Sequence, residues 1–150
     1  MPLSKMTLRV PIDYDASFDV MVSGCNCDEV FVDITEPNFP RQQTSGKVER
    51  EITLVCFNEI LSSDEMREKL DEEGLQPGQN DDLLAVVATQ LAIDNNAIIL
   101  QIGQTWNHAC GCRYVTMFYV KKLIRKLWID WDESDWAPNC WVVAVPKVAS

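Results

Sequence analysis

Leu61-Ser62-Ser63-Asp64-Glu65-Met66-Arg67-Glu68-Lys69-Leu70-Asp71-Glu72-Glu73-Gly74-Leu75 is the stretch on which the fold turns. Ser62 and Glu65 stand at capping-box spacing, so each can satisfy an amide the helix start leaves orphaned. Leu61 and Met66 occupy hydrophobic-staple positions. Gly74 suits a left-handed cap, from which Leu75 can reach back to Leu70. Together these predict a helix from about Ser63 to Glu73. After a loop with Pro77 and Gly78, a second helix is expected from Asp81 to Ile93. Asn80 is its expected N-cap, with Asp81 and Asp82 on the positive end of the dipole. Its expected buried stripe is Leu84, Val87, Ala88 and Leu91.

Strand patterns flank this helical centre on both sides. Met6, Leu8, Val10, Ile12 and Tyr14 alternate with Thr7, Arg9, Pro11 and Asp13, as in a half-buried strand. Pro11 has no amide donor and points to a sheet edge. Ser17 to Ser23 reads as a short helix. Val30, Val32 and Ile34 read as a short strand, and Glu36 to Gln43 as a loop. A second amphipathic strand, Val48 to Cys56, is expected to pair with the first and bring Arg9 near Glu49 or Glu51. Further strands are expected at Ile98–Ile102, Tyr114–Val120, Ile124–Trp131 and Cys140–Val145. In Ile124–Trp131, alternation groups Leu127, Ile129 and Trp131, taken as the inward set, against Lys126, Trp128 and Asp130. The order of strands, two helices and strands predicts an α+β fold. Two helices would pack on a mostly antiparallel sheet, in a single domain over residues 1–150.

The chain has 150 residues, with 13 basic and 23 acidic side chains and a net charge of −10. Nucleic-acid binding needs a basic face, so this balance argues against it. No apolar run approaches the ~18–20 residues of a membrane span. Met1 to Tyr14 holds no secretory core, so a cytoplasmic location is expected.

The stretch Glu73-Gly74-Leu75-Gln76-Pro77, followed by Asp81-Asp82-Leu83-Leu84, resembles a family of uncharacterised bacterial proteins from candidate-phylum genomes. Ile99, Gly103 and Trp106 fit that family's apolar, glycine and tryptophan positions. Gly111, Arg113, Tyr114 and Val115 fit its hairpin, and Leu127, Ile129, Trp131, Trp136, Cys140, Ala144, Val145 and Lys147 fit its ending. Upstream, Val32-Asp33-Ile34-Thr35 and Asn38-Phe39-Pro40 also fit. Departures fall at Gln76, Gly78, Gln79, His108, Cys110 and Cys112. The resemblance implies no activity. More distantly, the helix pair followed by Trp136, Cys140 and a closing apolar strand is similar to a compact C-type-lectin-like domain. That implies a fold, without the calcium-dependent sugar chemistry.

Several groups of residues invite a chemical reading. Cys25-Asn26-Cys27 and Cys110-Gly111-Cys112 form two Cys-x-Cys pairs that could share a tetrahedral zinc, although one-residue spacing is off the usual pattern. They could equally be ordinary buried thiols. A disulfide from Cys140 to Cys110 or Cys112 is the rival use, disfavoured in a reducing compartment. His108 beside Cys110, with Asn107 adjacent, could serve a thiol enzyme, although such groups normally come from distant segments. Asp130, Asp132, Glu133 and Asp135 read as a solvated turn rather than a calcium site. Lys121, Lys122, Arg125 and Lys126 are the one basic cluster, read as a solvated turn or a contact for an acidic partner.

Trp128, set between Lys126 and Asp130, is the aromatic expected to face out and bind. The leading expectation is therefore a non-enzymatic binding module. It would present Trp128, Lys126, Tyr119 and Trp136, on hairpins of the C-terminal half, to a protein or small ligand. The alternatives are a zinc-stabilised structural protein held by Cys25, Cys27, Cys110 and Cys112, and a thiol-dependent enzyme.

Overall fold

The computed structural model describes residues 3–41, 43–90 and 97–147. The elements are β1 (Ser4–Asp13), α1 (Phe18–Ser23), β2 (Glu29–Val30), β3 (Lys47–Cys56), β4 (Leu61–Ser62), α2 (Ser63–Glu72) and β5 (Leu75–Pro77), followed by α3 (Asn80–Ala88), β6 (Ile98–Leu100), β7 (Trp106–Asn107), β8 (Arg113–Lys121), β9 (Ile124–Trp131), β10 (Asp135–Trp136) and β11 (Cys140–Pro146). Among the described residues one nine-stranded mixed sheet runs β1-β3-β11-β6-β8-β9-β2, with β5 on β11 and β7 on β8. Most pairings are antiparallel, while β11 with β6 and β2 with β9 are parallel. The fold is α+β. No helix among the described residues is long and apolar enough to cross a membrane.

Side chains alternate across each strand, so the sheet feeds two cores. Val143 and Val145 of β11 enter one, with Ile52, Leu54, Ile99, Phe118 and Leu127, beneath α1 and α3. Val142 and Ala144 enter the other, with Val55, Leu100, Val115 and Met117, beneath Met66 and Leu70 of α2. The helices thus lie on opposite faces of the sheet. The short helix expected at Ser17–Ser23 forms as α1, and among the described residues the three helices are divided between both faces, where a pair packed on the sheet was expected.

β1 and β3 pair antiparallel over their full length, with Arg9 opposite Glu51 and its guanidinium 3.7 Å from Glu49. β1 is the outer strand, which accommodates Pro11. The α2 capping box is closed from both sides, and Gly74 takes φ +74° beyond the helix end.

α3 departs from its sequence pattern. It ends at Ala88, with Thr89 as C-cap and Gln90 at φ 59°, and the expected turns at 91–93, Leu91 included, lie outside the described residues. Every residue from Asn80 to Val87 is buried, while Ala88 is exposed. A helix buried on all sides has no single apolar stripe. The N-cap is Gln79, whose amide donates to Asp82 Oδ2 at 2.8 Å. Asn80 instead sits inside the helix, where its Oδ1 accepts from Thr116 Oγ1 at 2.8 Å and pins α3 to β8.

The expected Val30–Ile34 strand shrinks to Glu29–Val30, because the chain turns at Val32, which is 81% exposed, and drops Ile34 into the core. Trp131 is likewise corrected. It was placed inward with Leu127 but is 55% exposed, because β9 runs beyond the helices that cover Leu127.

Candidate functional site

β8 and β9 form a hairpin closed by Lys122 and Leu123, both with positive φ, which holds Tyr119 opposite Lys126 and Met117 opposite Trp128. Successive left-handed residues match the twist of the flanking strands. α2 covers only part of this sheet face. Beside it lies an open depression of about 400 Å³, lined by Ile98, Met117, Tyr119, Val120, Lys121, Trp128, Ile129 and Asp130. A second depression, of about 280 Å³, is lined by Phe31, Asp33, Trp106, His108 and Tyr114, and again by Trp128 and Ile129. Trp128 and Ile129 form the ridge between them.

The rings of the second depression support one another. Trp106 lies 5.3 Å from His108 and 5.6 Å from Tyr114, centroid to centroid, and packs edge-on to the buried Phe39 at 6.5 Å. Phe31 meets Trp128 edge-on at 4.8 Å. Edge and tilted contacts at these separations suit the ring quadrupoles. Phe31 is placed there because its amide donates to the Leu127 carbonyl, just beyond the short β2–β9 pairing. Sequence reading missed Phe31 and Asp33 as site residues. Their only local signal was one aromatic and one acid in an irregular stretch.

The expected ligand-binding residues separate. Trp128 and Tyr119 line the first depression, and Trp128 is half-buried. Lys126 flanks it, with Nζ 2.8 Å from Glu29 and 5.8 Å from the Trp128 ring centroid. The Glu29 hydrogen bond raises its pKa. Trp136 does not join them: it is 3% exposed, and its Nε1 donates to Ser63 Oγ at 2.9 Å under the start of α2.

The basic cluster is also divided. Arg125 donates to the Cys25 carbonyl at 2.9 Å and the Asn26 carbonyl at 3.1 Å, with its guanidinium 4.8 Å over the Phe118 ring. It closes the end of α1 onto β9. In the acidic turn, Asp132 is buried against Arg67 and Arg113, so that stretch is only partly solvated.

Cys25, Cys27, Cys110 and Cys112 do not form one zinc site. Among the described residues no group of three or more His, Cys, Asp or Glu side chains is placed to hold a metal ion. Cys25 is buried and its Sγ donates to the Leu84 carbonyl at 3.4 Å, whereas Cys110 is exposed on the β7–β8 hairpin. All six cysteines are free, so Cys140 bridges neither Cys110 nor Cys112. Burial pushes Cys25 up to about 12 and Cys140 up to about 11. Cys110 is held down at about 7, by hydrogen bonding to the Cys112 thiol, then the Cys112 backbone, then His108. The Cys110 amide donates to His108 Nδ1 at 3.2 Å.

In comparisons with known proteins, no family model, no curated protein and no solved structure matches the chain.

Proposed function

We propose that the chain is a non-enzymatic binding module, and that its ligand surface is the pair of depressions on either side of Trp128. The reading rests on one observation: both hollows open to solvent, share Trp128 and Ile129, and are walled by Tyr119 on one side and by Phe31, Trp106 and Tyr114 on the other. Aromatic walls offer large contact area at low conformational cost, and partly exposed rings are the usual anchors of interfaces. Asp33 lines the second hollow, whereas in the first Asp130 is offset by Lys121, and the chain carries −10. Ring faces beside a carboxylate favour a cation, and the net charge steers cations inward. The ligand is therefore a basic peptide segment that inserts a cationic side chain.

Titrating tryptophan fluorescence with a trimethyl-lysine peptide, an arginine peptide and an acidic peptide of equal length tests this. Saturation by the basic peptides, and a loss of about tenfold or more for Trp128→Ala in a protein that still melts cooperatively, is the expected result. Equal response to the acidic peptide, or an unchanged Trp128→Ala titration, overturns it.

A further inference from the structure

The β7–β8 hairpin turns through His108-Ala109-Cys110-Gly111-Cys112. The His108 amide donates to the Cys112 carbonyl at 2.9 Å, and the Gly111 amide donates to the His108 carbonyl at 2.9 Å. Gly111 closes the turn at φ +90°. This is a three-residue hairpin loop that ends on a left-handed glycine. A Cβ at Gly111 would meet nothing within 4 Å, so the glycine serves its backbone conformation and not a shortage of room. His108 braces the turn from the other side. Its Nδ1 accepts from the Cys110 amide at 3.2 Å, and its ring packs edge-on to Trp106 at 5.3 Å.

Cys110 and Cys112 are thus held on one short, braced turn, and their surroundings set them apart. Cys25 Sγ donates to the Leu84 carbonyl at 3.4 Å and Cys56 Sγ to the Pro138 carbonyl at 3.1 Å, while Cys140 is buried. Cys110 is exposed, Cys112 is half-buried, and the Cys112 thiol donates to Cys110. That contact is the largest influence holding Cys110 down at about 7, and it also raises Cys112. Packing accounts for a buried thiol, but not for two thiols facing each other at the surface.

We propose that Cys110 and Cys112 form a redox-active dithiol that exchanges with small-molecule disulfides, with Cys110 attacking and Cys112 closing the internal bond. The Cys110 thiolate attacks one sulfur of the disulfide, a mixed disulfide forms, and the first thiolate leaves with the electron pair of the broken S–S bond. Cys112 then gives its proton to solvent and attacks Cys110 Sγ. The Cys110–Cys112 bond forms, the mixed disulfide breaks, and a second thiolate leaves. The protein has lost two electrons and two protons, and the disulfide has become two thiols. A bond closed across a single residue makes a small, strained ring on an exposed turn, and disulfides of that kind are readily reduced again. The unequal pair suits the sequence of steps, because the thiol that is more ionised and more accessible attacks first. The site does not depend on the aromatic face binding anything.

The test is to mix the reduced full chain with glutathione disulfide at neutral pH, quench with iodoacetamide, and map the thiols by mass spectrometry. The peptide that carries Cys110 and Cys112 is expected to lose two hydrogens in a chain that stays monomeric, with two glutathiones released, and dithiothreitol is expected to restore it. Cys112→Ser is expected to stop at a mixed disulfide on Cys110. Cys110→Ser is expected to release glutathione about tenfold more slowly or worse. Urea midpoints of both variants show whether the fold is kept, and the wild-type mass shift needs no variant. A wild-type chain that stops at a mixed disulfide, that joins two copies through Cys110, or that oxidises first at another cysteine overturns the proposal. So does Cys110→Ser reacting at the wild-type rate. No peptide is used, so failure here and failure of the aromatic face to bind are separate results.

Discussion

The guanidinium of Arg67 lies 2.8 Å from the carboxylate of Asp132, which ties the first turns of α2 to the turn after β9. Asp132 is 3% exposed; Arg113 also approaches it at 3.5 Å, and its carbonyl accepts from Ser63 Oγ at 2.7 Å. Ser63 in turn receives the Trp136 indole N–H. A chain of polar contacts thus fixes α2 over its core. Asp132→Ala is expected to cost about 1.5–3 kcal/mol, the value of hydrogen bonds to a charged group. Arg67 keeps Asp64 and the Ile102 carbonyl as partners, which holds the loss below that of an abandoned buried charge. Urea denaturation measures it, and a loss within error of zero would show the link to be ornamental.

The late tryptophans should rank by burial rather than by sequence neighbourhood. Trp136→Ala removes a fully buried ring and should cost about 3–5 kcal/mol. Trp128→Ala loses partial burial and the edge contact with Phe31, about 1–2 kcal/mol. Trp131→Ala should stay within about 0.5 kcal/mol of wild type. Denaturation midpoints of the three variants check the order.

Gly103 has no room for a side chain. A Cβ there would stand 2.3 Å from the Gly78 carbonyl oxygen and 3.0 Å from that of Pro77, both backbone atoms. Gly103→Ala must therefore push apart the chain entering α3 and the chain leaving β6. A loss of about 3 kcal/mol is expected, the upper range for overpacking. Thermal unfolding of the variant is the measurement.

Asp81 makes stability depend on pH in a definite direction. Burial, first of all, lifts its carboxyl to about 6; Arg41 and Arg50 oppose the rise, while Asp82 and Glu36 add to it. The folded state therefore holds this proton over a range where the unfolded chain has released it. The stabilisation is complete below the unfolded value of about 4 and is lost as pH rises through about 6. Asp81→Asn should match wild type near pH 4 and exceed it by about 2 kcal/mol near pH 8. Guanidinium unfolding at the two pH values tests the sign.

The thiols should react in the order their surroundings dictate. Cys110, exposed and held at about 7, should be alkylated by iodoacetamide well before Cys140 or Cys25, which burial raises to about 11 and about 12. Thiolate fraction and access both favour Cys110. Peptide mapping of a time course gives the order, and early labelling of Cys25 would contradict it.

Local patterns were enough for the ends of α2, the β1–β3 pairing and the alternation along β9. Each depends on residues a few positions apart or on simple period-two geometry. The capping residues Ser62 and Glu65 need no distant partner, and Arg9 reaches Glu49 once the two strands are in register. Alternation separates Leu127, Ile129 and Trp131 from Lys126 and Trp128, but it does not say how far along the strand cover extends. That was decided by α1 and α3, which bury Leu127 and stop short of Trp131. The same dependence on distant chain placed Trp136 under α2, sent the two Cys-x-Cys pairs to different environments, and buried Asp81 in the first turn of α3. Periodicity is a property of neighbouring residues, whereas burial depends on which remote element lands on them. For this protein the elements and the Cys110–Cys112 turn were written locally, and the aromatic face was made by tertiary packing.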